Sequence, residues 1–441
     1  MPSSCDLLLH AACVVTQNTE RATIENGTLA IDKGVIVALG PRPDIAPLWQ
    51  GARELDLGNM LVLPGLVNAH THAAMTFLRG LADDLPLMDW LAEHIFPVEQ
   101  HLTPEIVEWS SLLGYAEMLR TGATACMDMY IIEEAVFRAA DTAGLRCCGG
   151  EAVFAFPSAS GPTPEHALEL TRELAQRYRG HPRISVAVNP HSVYTTTPEI
   201  LGRCRDLAEE CGLPLHIHLA ETASETAQCL ARRGKRPLPY CRDLGLLTPN
   251  TTLAHAVDLT DEELDILAES GATPVHNPSS NMKLASGVAR IPEMLRRNIP
   301  VGLGTDGAAS NNRLNMFTEM GRAALLHKLS GNDPTTLPAA LVLDMATLGG
   351  AAALHRLGLG SLTVGGPADL TALDLSAPNL QPLYAPVSHL VYAATGMEVG
   401  LTMVEGEILY HDGVFTRFDY SALCAAMRDV RDWVRRKAER G

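Results

Sequence analysis

Basic residues are scarce in this chain. Its 441 residues include 34 Lys and Arg against 51 Asp and Glu, a formal charge of −17. That balance argues against nucleic acid or anionic lipid as a partner, because both are held by positive charge. Aromatic residues make up only 5%, too few stacking platforms for a single-strand binder. No stretch approaches the ~18 uninterrupted apolar residues of a membrane span, so no membrane association is expected. The ten cysteines include no CxxC pair and read as reduced, mostly buried thiols. Met1-Pro2-Ser3-Ser4-Cys5-Asp6 lacks the basic start of a signal peptide, and a cytoplasmic location is expected. What is present, 46% hydrophobic and 19% charged residues, is the composition of a globular protein. The length is enough for a large domain and a smaller one.

Both ends of the chain have a β texture. Asp6–Leu9 and Gly27–Ile31 are strand-like, and Asp32-Lys33-Gly34 is a hairpin signal. Ala368–Asp374 repeats the pattern near the other end, followed by a hairpin around Glu405-Gly406 and by Gly413-Val414. One small β-sandwich built from both ends, residues 1–60 and 366–441, is expected, closed by a charged helix over Asp429–Arg440. Residues 61–365 alternate apolar strand-like runs with helical patterns. The strand candidates are Leu61–His70, Ala123–Met129, Leu145–Val153, Ile184–Asn189, Leu215–Leu219, Thr252–His255, Thr273–His276 and Val301–Asp306. Helices are predicted between them, among them Thr103–Thr121, Pro164–Tyr178 and Pro198–Cys211. Eight buried strands separated by helices indicate a parallel α/β architecture and favour a (β/α)8 TIM-type barrel, with a doubly wound sheet as the alternative.

Barrel enzymes place their chemistry at the C-terminal ends of the strands. Those ends read His70 and His72, Asn189 with His191, His216 and His218, then His255, His276 and Asp306. Imidazoles closed by one carboxylate are the donor set of a catalytic zinc or iron site. Sixteen histidines in this length produce about 0.6 His-x-His pairs by chance, and two pairs at strand ends exceed that. Residues i and i+2 of a strand share a face, so His70 and His72 can hold one ion. Of His216 and His218, only the one nearer the rim can reach the same ion, which favours His218 and leaves His216 behind it. Gly302-x-Gly304-x-x-Gly307 imitates a dinucleotide fingerprint, but Asp306 puts a carboxylate where pyrophosphate would lie. Cys147-Cys148 reads as packing, and the remaining histidines read as structural or exposed.

Pro64-Gly65-Leu66-Val67-Asn68-Ala69-His70-Thr71-His72 resembles the first metal motif of the amidohydrolase superfamily. The continuation Ala73–Gly80 resembles its branch of 5′-methylthioadenosine/S-adenosylhomocysteine deaminases. So do His216–Thr222, His276-Asn277-Pro278-Ser279-Ser280-Asn281-Met282-Lys283-Leu284 and Gly304–Asn312. The resemblance implies metal ligands at His70, His72, His218 and Asp306, with His255 orienting the attacking water and Glu221 shuttling protons to the purine. It implies substrate contacts from His191, from Glu99 to the ribose diol, and from Trp90 to the thioether tail. Strand 4 has no lysine to bridge two metals, so one divalent ion per subunit is expected, Zn2+ first and Fe2+ second. The implied activity is hydrolytic deamination of adenine nucleosides in a homo-oligomer, a dimer or tetramer. Triazine dechlorination and guanine or pterin deamination are the alternatives on the same site; a non-catalytic scaffold, which should have lost ligands, is the remote one. The loop Glu151–Gly161 has no arginine or lysine, so 5′-methylthioadenosine is expected to be preferred over S-adenosylhomocysteine, with Glu151 adding to the repulsion of a carboxylate.

Overall fold

A computed structural model describes residues 2–438. The end of the charged run predicted to reach Arg440 lies outside the described residues; its visible part belongs to the helix Tyr420–Ala438.

The N-terminal strands are β1 (Ser3–Val15), β2 (Thr23–Asp32), β3 (Val35–Pro41), β4 (Trp49–Asp56) and β5 (Met60–Pro64). The predicted hairpin forms where Asp32 pairs with Val35, leaving Lys33 and Gly34 at φ 49° and 78°. Two left-handed residues match the twist of the flanking strands. The middle of the chain adds β6 (Leu66–Thr71), β7 (Ala123–Asp128), β8 (Arg146–Gly149), β9 (Ala152–Val153), β10 (Ile184–Val186) and β11 (Asn189–Pro190). It continues with β12 (Leu215–Leu219), β13 (Thr251–His255), β14 (Thr273–His276) and β15 (Gly302–Leu303). Last come β16 (Leu370–Asp374), β17 (Val399–Val404), β18 (Glu407–His411) and β19 (Val414–Phe415).

Strands from the two ends join in one nine-stranded sheet, ordered β19-β18-β17-β16-β5-β1-β2-β3, with β4 beside β1. Alternate residues Leu7, Leu9 and Ala11 pack one face with Leu29, Ile31, Leu370 and Met403, the period-two pattern of a half-buried strand.

In the middle region β6, β7, β8 and β10 are parallel neighbours, as are β12 through β15. Hydrogen bonds link the two sets: His216 N–H donates to Val188 O at 3.0 Å, and Asp306 N–H to His70 O at 3.0 Å. The strands are capped by helices that begin at threonines; Thr103, Thr163, Thr197, Thr222 and Thr260 each accept from a first-turn N–H, satisfying an otherwise orphaned donor. Mostly small and branched side chains fill the space between strands, including Val67, Ala69, Ala125, Ala187 and Val275, with Met127 among them.

Four predicted strands are interrupted. The run Leu61–His70 is two strands in different sheets, because Gly65 lies against Thr124, where a Cβ would come within 2.1 Å of Oγ1. Leu145–Val153 breaks between β8 and β9, and Ile184–Asn189 between β10 and β11. Here the backbones cross closely, with a Cβ on Gly150 falling 2.0 Å from Ala187 O. Val301–Asp306 shortens to β15, since Asp306 turns to φ 60°. At the opposite end of the strands, Arg146 binds Asp369 at 2.5 Å and Glu405 at 3.2 Å, tying the middle region to the terminal sheet. It faces away from the strand ends that carry the histidines, as its position at the start of a strand predicts.

Candidate active site

His70 lies on β6, His72 just beyond it, His218 on β12 and Asp306 just after β15. One ligand atom from each lies within 4.8 Å of the others. Asp306 Oδ1 stands 3.2 Å from His70 Nε2 and 3.1 Å from His72 Nε2. The far nitrogens are committed outward. His218 Nδ1 bonds His191 O at 2.8 Å and His72 Nδ1 bonds Met129 O; since a carbonyl only accepts, both Nδ1 atoms carry the proton. Their Nε2 atoms then face each other across 3.2 Å and both face Asp306 or the cluster interior, leaving them free to bind one cation once His72 gives up its proton. His70 Nδ1 pairs with His216 Nε2 at 2.9 Å, and His70 Nε2 is a buried atom without a hydrogen-bond partner. Three imidazole nitrogens and a carboxylate oxygen, each fixed from behind, are the donor set and support of a zinc-type site.

Asp306 is supported on its other oxygen, where Ser280 Oγ donates at 2.6 Å and Ser310 Oγ at 2.8 Å. Burial works against its charge, but His70 and His72 outweigh this and hold the carboxyl well below its usual range. The two histidines respond differently to the same carboxylate. Burial lowers His70 to about 4. Burial also opposes charge on His72, yet Asp306 and the Met129 carbonyl raise it to about 9. Strand ends here turn sharply, with Ala220 at φ 52°, His255 at 75° and Asp306 at 60°. Non-glycine residues in that region cost about 1–3 kcal/mol each and cluster at functional sites.

These groups open into a cavity lined by His72, Trp90, Glu99, Tyr130, Phe154, His191, Tyr194, His218, Glu221, His255 and Asp306 among others. Every residue given a role by the resemblance reaches this wall except His70, which lies beneath it; Asn189, His216 and His276, also read at strand ends, do not line it. Glu221 follows β12 and is 3% exposed, so burial raises its carboxyl. Its backbone N–H and that of Ala220 donate to the Glu225 carboxylate at 2.7 and 3.1 Å, which fixes the turn. His255 Nε2 lies 3.9 Å from Glu221 Oε2, and its Nδ1 bonds Asn281 Oδ1 at 2.9 Å. His191 stacks between His218 and Phe154, at 4.7 and 4.8 Å between ring centres. Burial drives His191 down to about 3, a neutral imidazole. Glu99 sits in the pocket with Tyr130 OH on its Oε1 at 2.6 Å.

Some expectations need correction. His276 ends β14 but turns away from the cluster, its Nε2 meeting His327 Nε2 at 3.2 Å. Glu151 does not face the pocket: its carboxylate accepts from Ile132 N and Glu133 N at 3.1 and 3.0 Å, capping the preceding helix Glu133–Ala143. The glycine motif of β15 serves close packing. A Cβ on Gly304 would lie 2.9 Å from the His70 backbone, and one on Gly307 2.7 Å from Met75 Sδ. Ser280, Ser310, Tyr130 and Tyr194 escaped the residue-level reading. The two serines were within reach of it, since each lies inside a quoted motif, Ser280 in His276–Leu284 and Ser310 in Gly304–Asn312.

Residues 61–409 match the amidohydrolase family. A curated protein of Desulfovibrio desulfuricans, named 5-methylthioadenosine/S-adenosylhomocysteine deaminase, is 68% identical over 98% of this chain and 99% of its own length. One of the same name from Lawsonia intracellularis is 64% identical over the whole of both chains. Among solved structures, an adenosine deaminase from Xanthomonas campestris with bound zinc superposes with a TM-score of 0.96 at 40% identity, covering 99% of this chain and 100% of that one. A zinc-containing atrazine chlorohydrolase from Arthrobacter aurescens superposes at 0.88 with 23% identity, covering 96% of this chain and 100% of its own, a likeness of fold.

Proposed function

We propose a function from one premise: the chain belongs to the amidohydrolase family, with the α/β fold and metal dependence of that family. On this reading it is a hydrolytic deaminase of adenine nucleosides, 5′-methylthioadenosine before S-adenosylhomocysteine or adenosine, yielding the inosine analogue and ammonia. Residues 61–365 are a closed (β/α)8 barrel, flanked by a β-sandwich from 1–60 and 366–441. The observation that carries the reading is the meeting, in one pocket, of a three-histidine, one-aspartate cluster beside Glu221 with the buried carboxylate of Glu99. The first pair is suited to hydrolysis at an amine-bearing ring carbon; the second has a use only if the substrate brings hydroxyl donors.

One divalent ion per subunit, zinc by preference and iron(II) otherwise, would be held by His70, His72, His218 and Asp306. When bound it lowers the pKa of water from ~15.7 toward ~7, so that a nucleophile exists at neutral pH. The absence of lysine in Ile184–Pro190 supports one ion rather than a bridged pair. Asp306 and His255 orient the attacking water and take its proton. Glu221, inclined by burial to keep its proton, donates to the ring nitrogen as oxygen adds to the carbon bearing the amine. The carbon–nitrogen bond then breaks and the amine leaves as ammonia with the transferred proton. His191 bonds the substrate as a neutral imidazole, and Glu99 accepts from the ribose hydroxyls. Trp90 and Phe154 pack the thioether, whose sulfur is well matched to aromatic faces.

The preference for an apolar 5′ group is supported by the wall itself, which includes Leu87, Leu91, Ile95, Phe96 and Phe154 and no Lys or Arg among the described residues. Arg79 is paired with Glu117, and Arg290 with Asp261. The protein acts in the cytoplasm as a dimer or tetramer. Ammonia release across adenosine, 5′-methylthioadenosine, S-adenosylhomocysteine, guanine and a chlorotriazine, with bound metal quantified on the same sample, tests the assignment. Turnover of the bare heterocycles in preference to the nucleosides would overturn it.

A further inference from the structure

We infer that Tyr130 is a positioning residue for ribose recognition, holding one oxygen of Glu99 so that the other is presented to the sugar hydroxyls; this rests on the deaminase reading above. Tyr130 OH donates to Glu99 Oε1 at 2.6 Å, while Glu99 Oε2 takes no hydrogen bond from the described residues. Both side chains line the pocket and both are nearly enclosed, Glu99 at 9% and Tyr130 at 5% exposure. A carboxylate in such a place, with no donor of its own, would rotate freely and give up its charge. The phenol fixes the carboxylate plane through its bond to Oε1 and, with His72, works against the burial that raises the carboxyl.

Tyr130 is itself held by features that the chemistry at the histidine cluster does not use. Its carbonyl accepts from Ala152 N at 2.8 Å. Two residues on, Ile132 stands at φ 58°, an outlier for a β-branched side chain. That strained turn is secured by Glu151 Oε1 and Ser160 Oγ, both accepting from Ile132 N, at 3.1 and 2.8 Å. The line Glu151–Ile132–Tyr130–Glu99 therefore connects a buried helix cap to the pocket wall.

The test is a double-mutant cycle read as a specificity ratio. kcat/KM is measured for 5′-methylthioadenosine and its 2′,3′-dideoxy analogue in the parent enzyme, Tyr130→Phe, Glu99→Gln and the double variant, with metal content and Tm recorded for each. Tyr130→Phe should reduce the preference for the ribose form about ten-fold or more, the usual worth of a hydrogen bond to a charged group, mainly through KM. Adding it to Glu99→Gln should change the ratio no further, because the two act as one unit. A ratio unchanged in Tyr130→Phe, or equal losses with both substrates, would overturn the role of Tyr130. A parent enzyme that does not distinguish the two substrates would overturn the reading of Glu99 on which it rests.

Discussion

Replacing Glu221 by glutamine isolates the proton carrier from everything else in the site. The side chain keeps its volume and its place beside His255, 3.9 Å from the imidazole nitrogen. The turn that presents it is fixed by backbone bonds to Glu225, which glutamine leaves intact. None of the four cluster residues, His70, His72, His218 and Asp306, is touched. Only the exchangeable proton is lost. General acid–base catalysis contributes ~10²- to 10⁴-fold, so kcat should fall by at least ~100-fold, about 2.7 kcal/mol of barrier at 1.36 kcal/mol per decade. Steady-state ammonia release from 5′-methylthioadenosine supplies kcat, and elemental analysis supplies metal content. Metal content should match the parent protein and KM should change little. Turnover within a few-fold of the parent would refute the assigned role, and loss of metal would show that Glu221 supports the cluster.

Three further outcomes are expected. Glu99→Ala should damage nucleoside turnover by ten-fold or more, and the intact enzyme should turn over 2′-deoxyadenosine poorly beside adenosine; equal kcat/KM for the two nucleosides would contradict the ribose assignment. S-adenosylhomocysteine should show the lower kcat/KM of the two thioethers, since its carboxylate would meet a wall without Lys or Arg; equal values would reveal a partner for that charge. Stability should also depend on pH in a defined direction. Burial raises Glu319 and Glu151 from 4.5 to about 7, so between pH 4.5 and 7 the folded protein holds protons that the unfolded chain has lost. The stability this provides is complete below about pH 4.5 and is lost as pH rises toward 7, on the order of 3 kcal/mol per group at 1.36 kcal/mol per unit. The buried histidines, held neutral in the fold, work in the opposite direction below pH 6.5, so the glutamate contribution is read as a difference. Tm of the parent minus Tm of Glu319→Gln should fall as pH rises from 5 to 7, and a difference independent of pH would contradict this.

The donor set of the cluster was legible because its spacing is local: His70 and His72 share a strand face, and His218 and Asp306 end strands that alternation and apolar runs mark clearly. His276 misled because it also ends a strand, and one-dimensional order does not say which way a terminal side chain turns; here it turns to His327. Strand lengths were overestimated wherever glycine lets two backbones approach, as at Gly65 and Gly150, since apolar character continues through such breaks while pairing does not. Glu151 was placed in the pocket by its position in a loop, whereas three-dimensional contact makes it a helix cap. Tyr130 left no signal of its own, because its meaning depends on Glu99, 31 positions earlier in the chain.

The proposed deamination of an adenine nucleoside depends on one divalent ion in the His70, His72, His218 and Asp306 cluster. The direct measurement is a titration of chelator-stripped protein with zinc, following ammonia and the inosine analogue formed from 5′-methylthioadenosine. The expected result is no turnover in the stripped protein, a linear rise that saturates at one equivalent per subunit, and equal amounts of the two products. Saturation at two equivalents, or full activity in protein stripped of metal, would contradict it.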